Sequence, residues 1–169
     1  MDKIDVMLDY DMLSSPNYVR FVNDGDGNAE PGNPAGPEGS GKVEQVFDDW
    51  FTAQGLQSER VPFDGRSDYV GFTDRGIPAG GVFAGAEGEK TAEEEAIYGG
   101  AAGSWFDPCY HQLCDVLANI SDKGLDEHSD AAVHAILTFA QTQSAVNGTG
   151  KASTASTKPS DWKGSHQVR

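Results

Sequence analysis

Apolar residues recur along the chain with two periods, and together they predict strands that alternate with helices. Alternation from about Ile4 to Met12 predicts a first strand, and residues 18–22 (YVRFV) predict a second. Residues 60–63 (RVPF) predict a short extended segment, and residues 77–85 (IPAGGVFAG) a buried strand that ends in glycines. Strands alternating with helices indicate an α/β layer fold.

The first predicted helix is amphipathic and has signals at both ends. Its apolar positions follow the spacing i, i+3, i+4, i+7 and i+8, at Val43, Val46, Phe47, Trp50 and Phe51. Ser40 is the expected N-cap residue, and Gly55 lies just past the expected end.

Two further helices are predicted in the second half of the chain. Thr91, with Glu94 three residues later, predicts a capping box, and we expect glutamates 93–95 to be solvated at the start of a surface helix. Residues 125–144 predict the last helix. Its inner face is expected to carry four apolar residues, which are Val133, Ile136, Leu137 and Ala140.

Two segments are predicted to lack regular structure. Residues 23–41 are dense in Gly, Pro, Asn and Asp, which predicts a long surface loop. The DGDGN at residues 24–28 lacks the closing Glu of a calcium loop, so we interpret it as a turn. After about Val146 the sequence is small and polar, and residues 146–169 are predicted to be a disordered tail.

Composition narrows the classes of partner. The chain of 169 residues has 27 acidic and 12 basic residues and a formal net charge of -15. This charge argues against nucleic acid and against anionic membrane surfaces as partners. No apolar run is long enough to span a membrane, and residues 1–13 (MDKIDVMLDYDML) do not have the pattern of a signal peptide.

The segment WFDPCYHQLCD, residues 105–115, contains the two cysteines of the chain and a histidine between them. A structural zinc site needs more strong ligands than Cys109, His111 and Cys114 provide. A Cys/His nucleophilic pair needs a free thiol with a low pKa. The simplest account is a disulfide from Cys109 to Cys114 that closes a tight loop around Tyr110 and His111.

Four stretches in a fixed order carry a resemblance to a known family. They are LDYDMLSSPN (8–17), FDGRSDY (63–69), GIPAGGVFAGAEG (76–88) and FDPCYHQLCD (106–115). Over about residues 4–142, the chain resembles the M28 zinc aminopeptidases, the secreted leucine-type aminopeptidases of actinobacteria and fungi. The resemblance implies a peptide substrate and an extracellular location. It implies that residues 1–145 are the C-terminal part of a three-layer α/β/α sandwich with a mixed sheet.

The resemblance also implies a site with two zinc ions. Asp11 resembles the carboxylate that binds one zinc, and His111 resembles the imidazole that binds the other. Tyr110 resembles the phenol that donates a hydrogen bond to the tetrahedral oxyanion. A packed aromatic residue is the ordinary alternative for this tyrosine.

Other positions match the family's substrate and calcium sites. Gly65 and Arg66 match the stretch that contacts the substrate's termini, although a surface ion pair explains Arg66 as well. Phe83 matches a wall of the apolar pocket for the N-terminal side chain, and a core phenylalanine would look the same. Asp126 and Asp130 match a calcium site of some bacterial members, and an exposed acidic helix face explains them equally well.

The bridging Asp, the remaining ligands and the general-base Glu of the family all lie upstream of the DYDM motif. We therefore expect an incomplete site that needs an upstream half of the same domain, and a chain that is inactive, marginally stable or aggregation-prone alone. The alternative hypothesis is a non-catalytic remnant or interaction module on the same scaffold. Retention of Asp11, Arg66, Tyr110 and His111 argues against that alternative.

Overall fold

Four short strands form one mixed sheet in the computed structural model, which describes residues 4–141 and residue 146. In chain order the strands are β1 (Met7–Asp9), β2 (Phe21–Asn23), β3 (Glu59–Val61) and β4 (Ala79–Phe83). The spatial order is β1-β4-β2-β3. β1 is parallel to β4 and β2 is parallel to β3, whereas β2 and β4 are antiparallel. This confirms the predicted α/β fold with a mixed sheet.

All four strands are shorter than, or shifted from, the sequence-based predictions. The first strand covers Met7–Asp9 instead of residues 4–12, because the chain leaves the sheet after Asp9. Met12 adopts a φ of 54°, in the left-handed region that interrupts an extended strand. The second strand begins at Phe21, three residues later than predicted.

The helices are α1 (Ser40–Ala53), α2 (Val70–Thr73), α3 (Ala92–Tyr98) and α4 (Asp122–Gln141), and the sequence pattern did not predict α2. Gly39, rather than Ser40, is the N-cap residue of α1. The Ser40 hydroxyl instead accepts a hydrogen bond of 3.0 Å from the backbone N–H of Ala79. Ser40 therefore ties the start of α1 to β4. Gly55 has a φ of 70° beyond the end of the helix, as glycine in that position allows.

Each face of the sheet packs against its own apolar cluster. On one face, Val22 and Val82 pack with α1 and α4, and the cluster includes Phe47, Phe51 and Ala135. On the other face, Phe21 and Phe83 stack with ring centroids 6.0 Å apart, beneath Tyr98 and Phe106. Because neighbouring residues of a strand point to opposite faces, the two layers are built from alternate positions. The arrangement is the predicted three-layer sandwich.

The predicted inner face of α4 is wrong. Val133, Ile136 and Leu137 are 55%, 49% and 53% exposed, and Ala140 is exposed as well. The buried residues of α4 are Gly124, His128, Ala131, Ala132 and Ala135. Small residues let α4 lie close to α1, so Val133, Ile136 and Leu137 face away from the sheet, whereas Phe139 packs against the core.

The capping box at Thr91 and Glu94 is confirmed, but Glu94 is not solvated. Its carboxylate accepts from the N–H of Thr91 at 2.5 Å, the Thr91 hydroxyl accepts from the N–H of Glu94 at 3.1 Å, and Glu94 is 7% exposed.

Apart from Val146, which packs in the α1 and α4 cluster, the predicted tail lies outside the described residues. No helix in the described part of the chain has the length and apolarity needed to cross a membrane.

Candidate active site

A cavity of about 270 Å³ opens on the face of the sheet opposite α1 and α4. Its apolar wall includes Met12, Phe21, Val61, Pro62, Val82, Phe83, Ala86 and Phe106. Its polar lining consists of Asp9, Asp11, Asn23, Asp64, Arg66, Ser67, Tyr69, Glu87 and Tyr110. An apolar depression with a few converging polar groups is the usual form of a small-molecule or side-chain pocket.

Asp11 lies exposed at the cavity, two residues beyond the end of β1. Its Oδ2 accepts a hydrogen bond of 2.9 Å from the Ser67 hydroxyl. Asp9, two residues earlier, is 9% exposed, and burial raises the pKa of its carboxyl despite a hydrogen bond from Ser67. The two carboxylates thus face one cavity with one serine between them.

The segment after β3, residues 64–69, has a fixed backbone. Gly65 adopts a φ of 82°, which favours glycine, and its N–H donates to the Tyr69 hydroxyl at 2.8 Å. The Tyr69 hydroxyl donates to Asp64 Oδ1 at 3.0 Å, and the N–H of Arg66 donates to the same oxygen at 3.0 Å. Tyr69 is 3% exposed, so the segment is anchored on a buried ring.

Arg66 extends from that segment toward the loop after β4. Its Nη2 lies 2.5 Å from Glu87 Oε1. The interaction with Glu87, followed by the nearby Tyr110 phenol, raises the pKa of Arg66. The pKa of the Glu87 carboxyl is lowered by its own backbone N–H, by Arg66 and by the charge of His111. Arg66, Glu87 and Tyr110, on three separate loops, therefore meet at this cavity.

Tyr110 and His111 lie on a loop that is closed by the predicted disulfide. Cys109 and Cys114 are bonded, with their Cα atoms 5.3 Å apart, which confirms the pairing. The rings of Tyr110 and His111 stack with centroids 3.9 Å apart, and His111 has a φ of 57°. A left-handed backbone at a residue other than glycine is a local strain that clusters at functional sites.

Asp107 anchors the start of this loop and joins it to Asn119, five residues beyond Cys114. It is 5% exposed, and its Oδ1 accepts from the N–H of Cys109 at 2.9 Å and from the amide of Asn119 at 2.8 Å. The preceding residue, Phe106, packs on Phe21 with ring centroids 5.2 Å apart. The loop that carries Tyr110 is therefore attached directly to the sheet.

Asp11 and His111 are suitable zinc ligands in type but too few in number. A carboxylate and a neutral imidazole are ordinary zinc ligands, and a catalytic site uses three protein ligands per ion. Within the described residues, one group of three or more His, Cys, Asp or Glu has its ligand atoms within 4.8 Å of one another, and it contains neither Asp11 nor His111. At a zinc site, Asp11 and His111 would therefore be an incomplete set of ligands.

That acidic group is Asp24, Asp26 and Glu44, near the predicted DGDGN turn. Asp24 accepts hydrogen bonds from Asn28, Ala29 and Asn33, and Glu44 accepts from the N–H groups of Gly25 and Asp26 and from Arg60. The three carboxylates are thus occupied by protein donors. Asp126 and Asp130 are exposed on α4 and remain a prediction as calcium ligands.

The structure brings four of the predicted site residues together at the cavity, whereas Gly65, Asp126 and Asp130 do not line it. Asp11, Arg66, Phe83 and Tyr110 line one cavity, and His111 stacks on Tyr110. The sequence reasoning missed Asp9, Ser67, Tyr69 and Glu87, which also line the cavity. All four lie inside the motifs that carried the resemblance. They could have been predicted as site residues because they lie next to the predicted residues in the sequence.

Comparison with known proteins identifies the class. The model of peptidase family M28 matches residues 1–136, and the chain belongs to this family. It is similar to an aminopeptidase of Pseudomonas aeruginosa strain PAO1, with 47% identity over 129 residues, which are 76% of this chain and 24% of the relative. It is also similar to leucine aminopeptidase 2 of Trichophyton rubrum, with 40% identity over 141 residues, which are 83% of this chain and 28% of the relative.

The fold has a counterpart among solved structures. A zinc aminopeptidase from Bacillus subtilis superimposes with a TM-score of 0.54 and 18% identity, over 86% of this chain and 31% of that protein. At this identity the likeness shows the fold alone. The chain spans about a quarter of the length of the curated relatives it matches.

Proposed function

We propose that this chain forms one part of a zinc aminopeptidase domain that releases N-terminal, apolar residues from peptides. The observation that carries the proposal is the cavity at which Asp11, Arg66 and Tyr110 meet, beside His111 on the disulfide-closed loop. The names of the relatives support aminopeptidase activity, and secretion is proposed from the same resemblance.

The apolar wall and the polar lining of the cavity would contact different parts of the substrate. Phe83, Phe21 and Phe106 provide a surface on which an apolar N-terminal side chain can lose its contact with water. Arg66 provides a cation for the carboxylate or carbonyl groups of the remaining peptide. Tyr110 can donate its O–H to the oxygen that becomes negative when the peptide carbonyl is attacked, a donor of the kind that stabilises such an oxyanion.

Zinc would be held in part by Asp11 and in part by His111, as one ligand for each of two ions. Metal ions in such sites lower the pKa of a bound water and polarise the carbonyl that is attacked. Ser67 would orient the Asp11 carboxylate through its hydrogen bond of 2.9 Å. Calcium at Asp126 and Asp130 is a further proposal, motivated by their i, i+4 spacing on α4.

The missing ligands and the general base are proposed to come from a further part of the same domain. Two surfaces of the described chain are suited to receive it. β1 is an edge strand of the four-stranded sheet, with β4 on one side. The outer face of α4 carries Val133, Ile136 and Leu137, each about half exposed. An unpaired strand edge and an apolar patch are the surfaces that neighbouring protein covers.

A chimera tests the proposal. This chain would replace the matching segment of the Pseudomonas aeruginosa aminopeptidase, and hydrolysis of leucyl-p-nitroanilide and zinc content would be measured. We expect an active chimera that contains two zinc ions, and an inactive chain with substantially less zinc by itself. The His111→Ala chimera should lose zinc and activity. The matched His134→Ala chimera should retain both, because His134 stacks on Trp50 away from the cavity.

The chimera also decides between an enzyme part and a non-catalytic module. An inactive but folded chimera would refute the aminopeptidase proposal and favour an interaction module that reuses the scaffold. Hydrolysis with metal-dependent kinetics by the chain alone would refute the need for a further part of the domain.

A further inference from the structure

An ion pair joins two loops across the candidate active site. Arg66 lies on the segment after β3, and Glu87 lies four residues beyond β4, at the start of the loop toward α3. Their closest atoms, Nη2 and Oε1, are 2.5 Å apart. Both residues line the cavity together with Tyr110, whose phenol lies close enough to the Arg66 guanidinium to raise its pKa. Glu87, Arg66 and Tyr110 thus lie side by side at the cavity, and the first two are joined by an ion pair.

The pair has the exposure of a surface salt bridge, which limits its effect on folding. The side chains of Arg66 and Glu87 are 55% and 37% exposed. Pairs of this kind contribute little to stability, because solvent screens them and ordering two long side chains costs entropy. Stability therefore gives no strong reason for this contact.

The environment of Glu87 favours a role at the cavity instead. Its second oxygen, Oε2, is buried and has no hydrogen-bond partner in the part of the chain that the structure describes. A desolvated carboxylate oxygen strengthens the attraction to the neighbouring cation. An exposed arginine that is held in this way loses its rotamer freedom before a ligand arrives, so the ligand does not meet that cost.

We propose that Glu87 is a positioning residue: its carboxylate holds the Arg66 guanidinium against the Tyr110 phenol and so fixes the direction of the Tyr110 hydroxyl at the cavity. The inference rests on the proposed aminopeptidase function for its effect on rate, but the contact itself is a property of the chain. An Arg66 without Glu87 would swing into solvent, and Tyr110 would lose its neighbour. The Tyr110 hydroxyl would then be displaced and kcat would fall, since small displacements of a donor have large effects on rate.

A double-mutant cycle in the active chimera tests the kinetic part. Glu87→Gln keeps the shape of the side chain and removes its charge, and we expect kcat to fall about tenfold, a loss of about 1.4 kcal/mol of transition-state stabilisation. The thermal midpoint should stay within the small range expected for an exposed pair. In the Tyr110→Phe background the same change should lower kcat less than twofold, because the residue that Glu87 positions is already lost.

Glu89→Gln is the matched control, because Glu89 is exposed and carries the same charge two residues further on. It should leave kcat unchanged. An equal loss of kcat in Glu89→Gln would show that general charge is responsible, and a full tenfold loss in the Tyr110→Phe background would show that Glu87 acts independently. Either result overturns the proposal.

A measurement that needs no activity separates the two proposals. Rotation of the Arg66 guanidinium can be followed by ¹⁵N NMR in the chain labelled at arginine. We expect hindered rotation in the wild type and in Glu89→Gln, and free rotation in Glu87→Gln. Free rotation in the wild type would refute the positioning contact. Hindered rotation in a chain whose chimera is inactive would leave the contact standing and refute the aminopeptidase proposal.

Discussion

Carboxylates lie on both sides of the sheet, but they differ in burial and in the hydrogen bonds that they accept. On the side of α1, Asp24 and Glu44 are buried, and their carboxylate oxygens accept hydrogen bonds from the backbone and from Arg60. On the cavity side, the Asp11 carboxylate is exposed, and its hydrogen bond comes from Ser67. Buried polar groups need partners inside the protein, whereas groups that bind a ligand must keep bonding capacity for it. The difference is the one expected if the first side has a structural role and the second binds a ligand, as proposed above.

The largest expected effect comes from Asp11. Asp11→Ala in the active chimera should lower kcat/KM about a thousandfold, because metal ions contribute several kcal/mol to such reactions and this ligand would be lost. Folding should be little affected, because the carboxylate is exposed. Kinetics, zinc content and a thermal melt would check this. Asp68→Ala, on the neighbouring segment, is the control, and a melting point lowered as much as activity would contradict the comparison.

Asp24 should behave in the opposite way. Burial opposes its charge, but hydrogen bonds from Asn33, Ala29 and Asn28 outweigh burial and lower the pKa of the carboxyl. Asp24→Ala leaves these donors without their acceptor, and we expect a loss of about 2 kcal/mol in the free energy of unfolding. Urea unfolding of the full chain measures it. The exposed Asp26→Ala should cost less than half as much, and equal losses would show that burial of the acceptor is not the cause.

The disulfide belongs to the cavity side, and its removal should act on the loop that carries Tyr110 and His111. Replacing Cys109 and Cys114 with serine opens a short loop, for which chain entropy predicts a loss of about 2 kcal/mol. Because Asp107 and Phe106 still anchor the loop, we expect the fold to survive and zinc affinity to fall in the chimera. Titration of zinc against a chelator is the measurement. Unchanged affinity would show that Asp107 alone orders the loop.

Sequence patterns predicted the fold better than they predicted the faces of the elements. Helix α1 was placed correctly because its large apolar residues are the ones that face the core. Helix α4 was placed correctly but turned the wrong way, because Ala131 and Ala135 pack where Val133 and Leu137 were expected. Periodicity weighs large residues heavily, and it cannot distinguish a face that packs within the chain from one that a neighbouring region covers.

The candidate site was predicted from motifs and extended by the structure. Tyr110, His111 and Asp11 could be named because a known family supplies their roles. Glu87 lies in one of the same motifs, but its contact with Arg66 could not be predicted, because the two residues are 21 positions apart and no short pattern links their loops. Such contacts depend on how β3 and β4 are arranged in the sheet, where β2 lies between them.

A substitution on the outer face of α4 tests whether a neighbouring region of protein covers this helix. Leu137→Glu in the chain alone should reduce self-association without lowering its melting point, because the residue is 53% exposed. In the chimera the same change should lower the melting point by the equivalent of about 1–2 kcal/mol, since a charge would enter a covered apolar surface. Sedimentation and thermal melts measure both. Ile97→Glu on α3 is the control, and the same response in both settings would contradict a covering region.

The smallest expected effect is the pH response of His128, a titratable group on the side of the sheet that packs against α1 and α4. His128 is fully buried in α4, its Nδ1 lies 2.7 Å from the carbonyl oxygen of Gly124, and burial lowers the pKa of its ring. The native state therefore binds fewer protons than the unfolded chain below the ordinary histidine pKa of about 6.5. The stability due to the neutral ring is fully present above that pH and is lost as the pH falls toward the native pKa. His128→Gln should flatten the fall in melting point in this window, whereas His134→Gln should leave it unchanged. Because the charges of Arg20 and Glu127 near His128 remain in both variants, a slope equal to that of the wild type in His128→Gln would assign the acid response to the carboxylates instead.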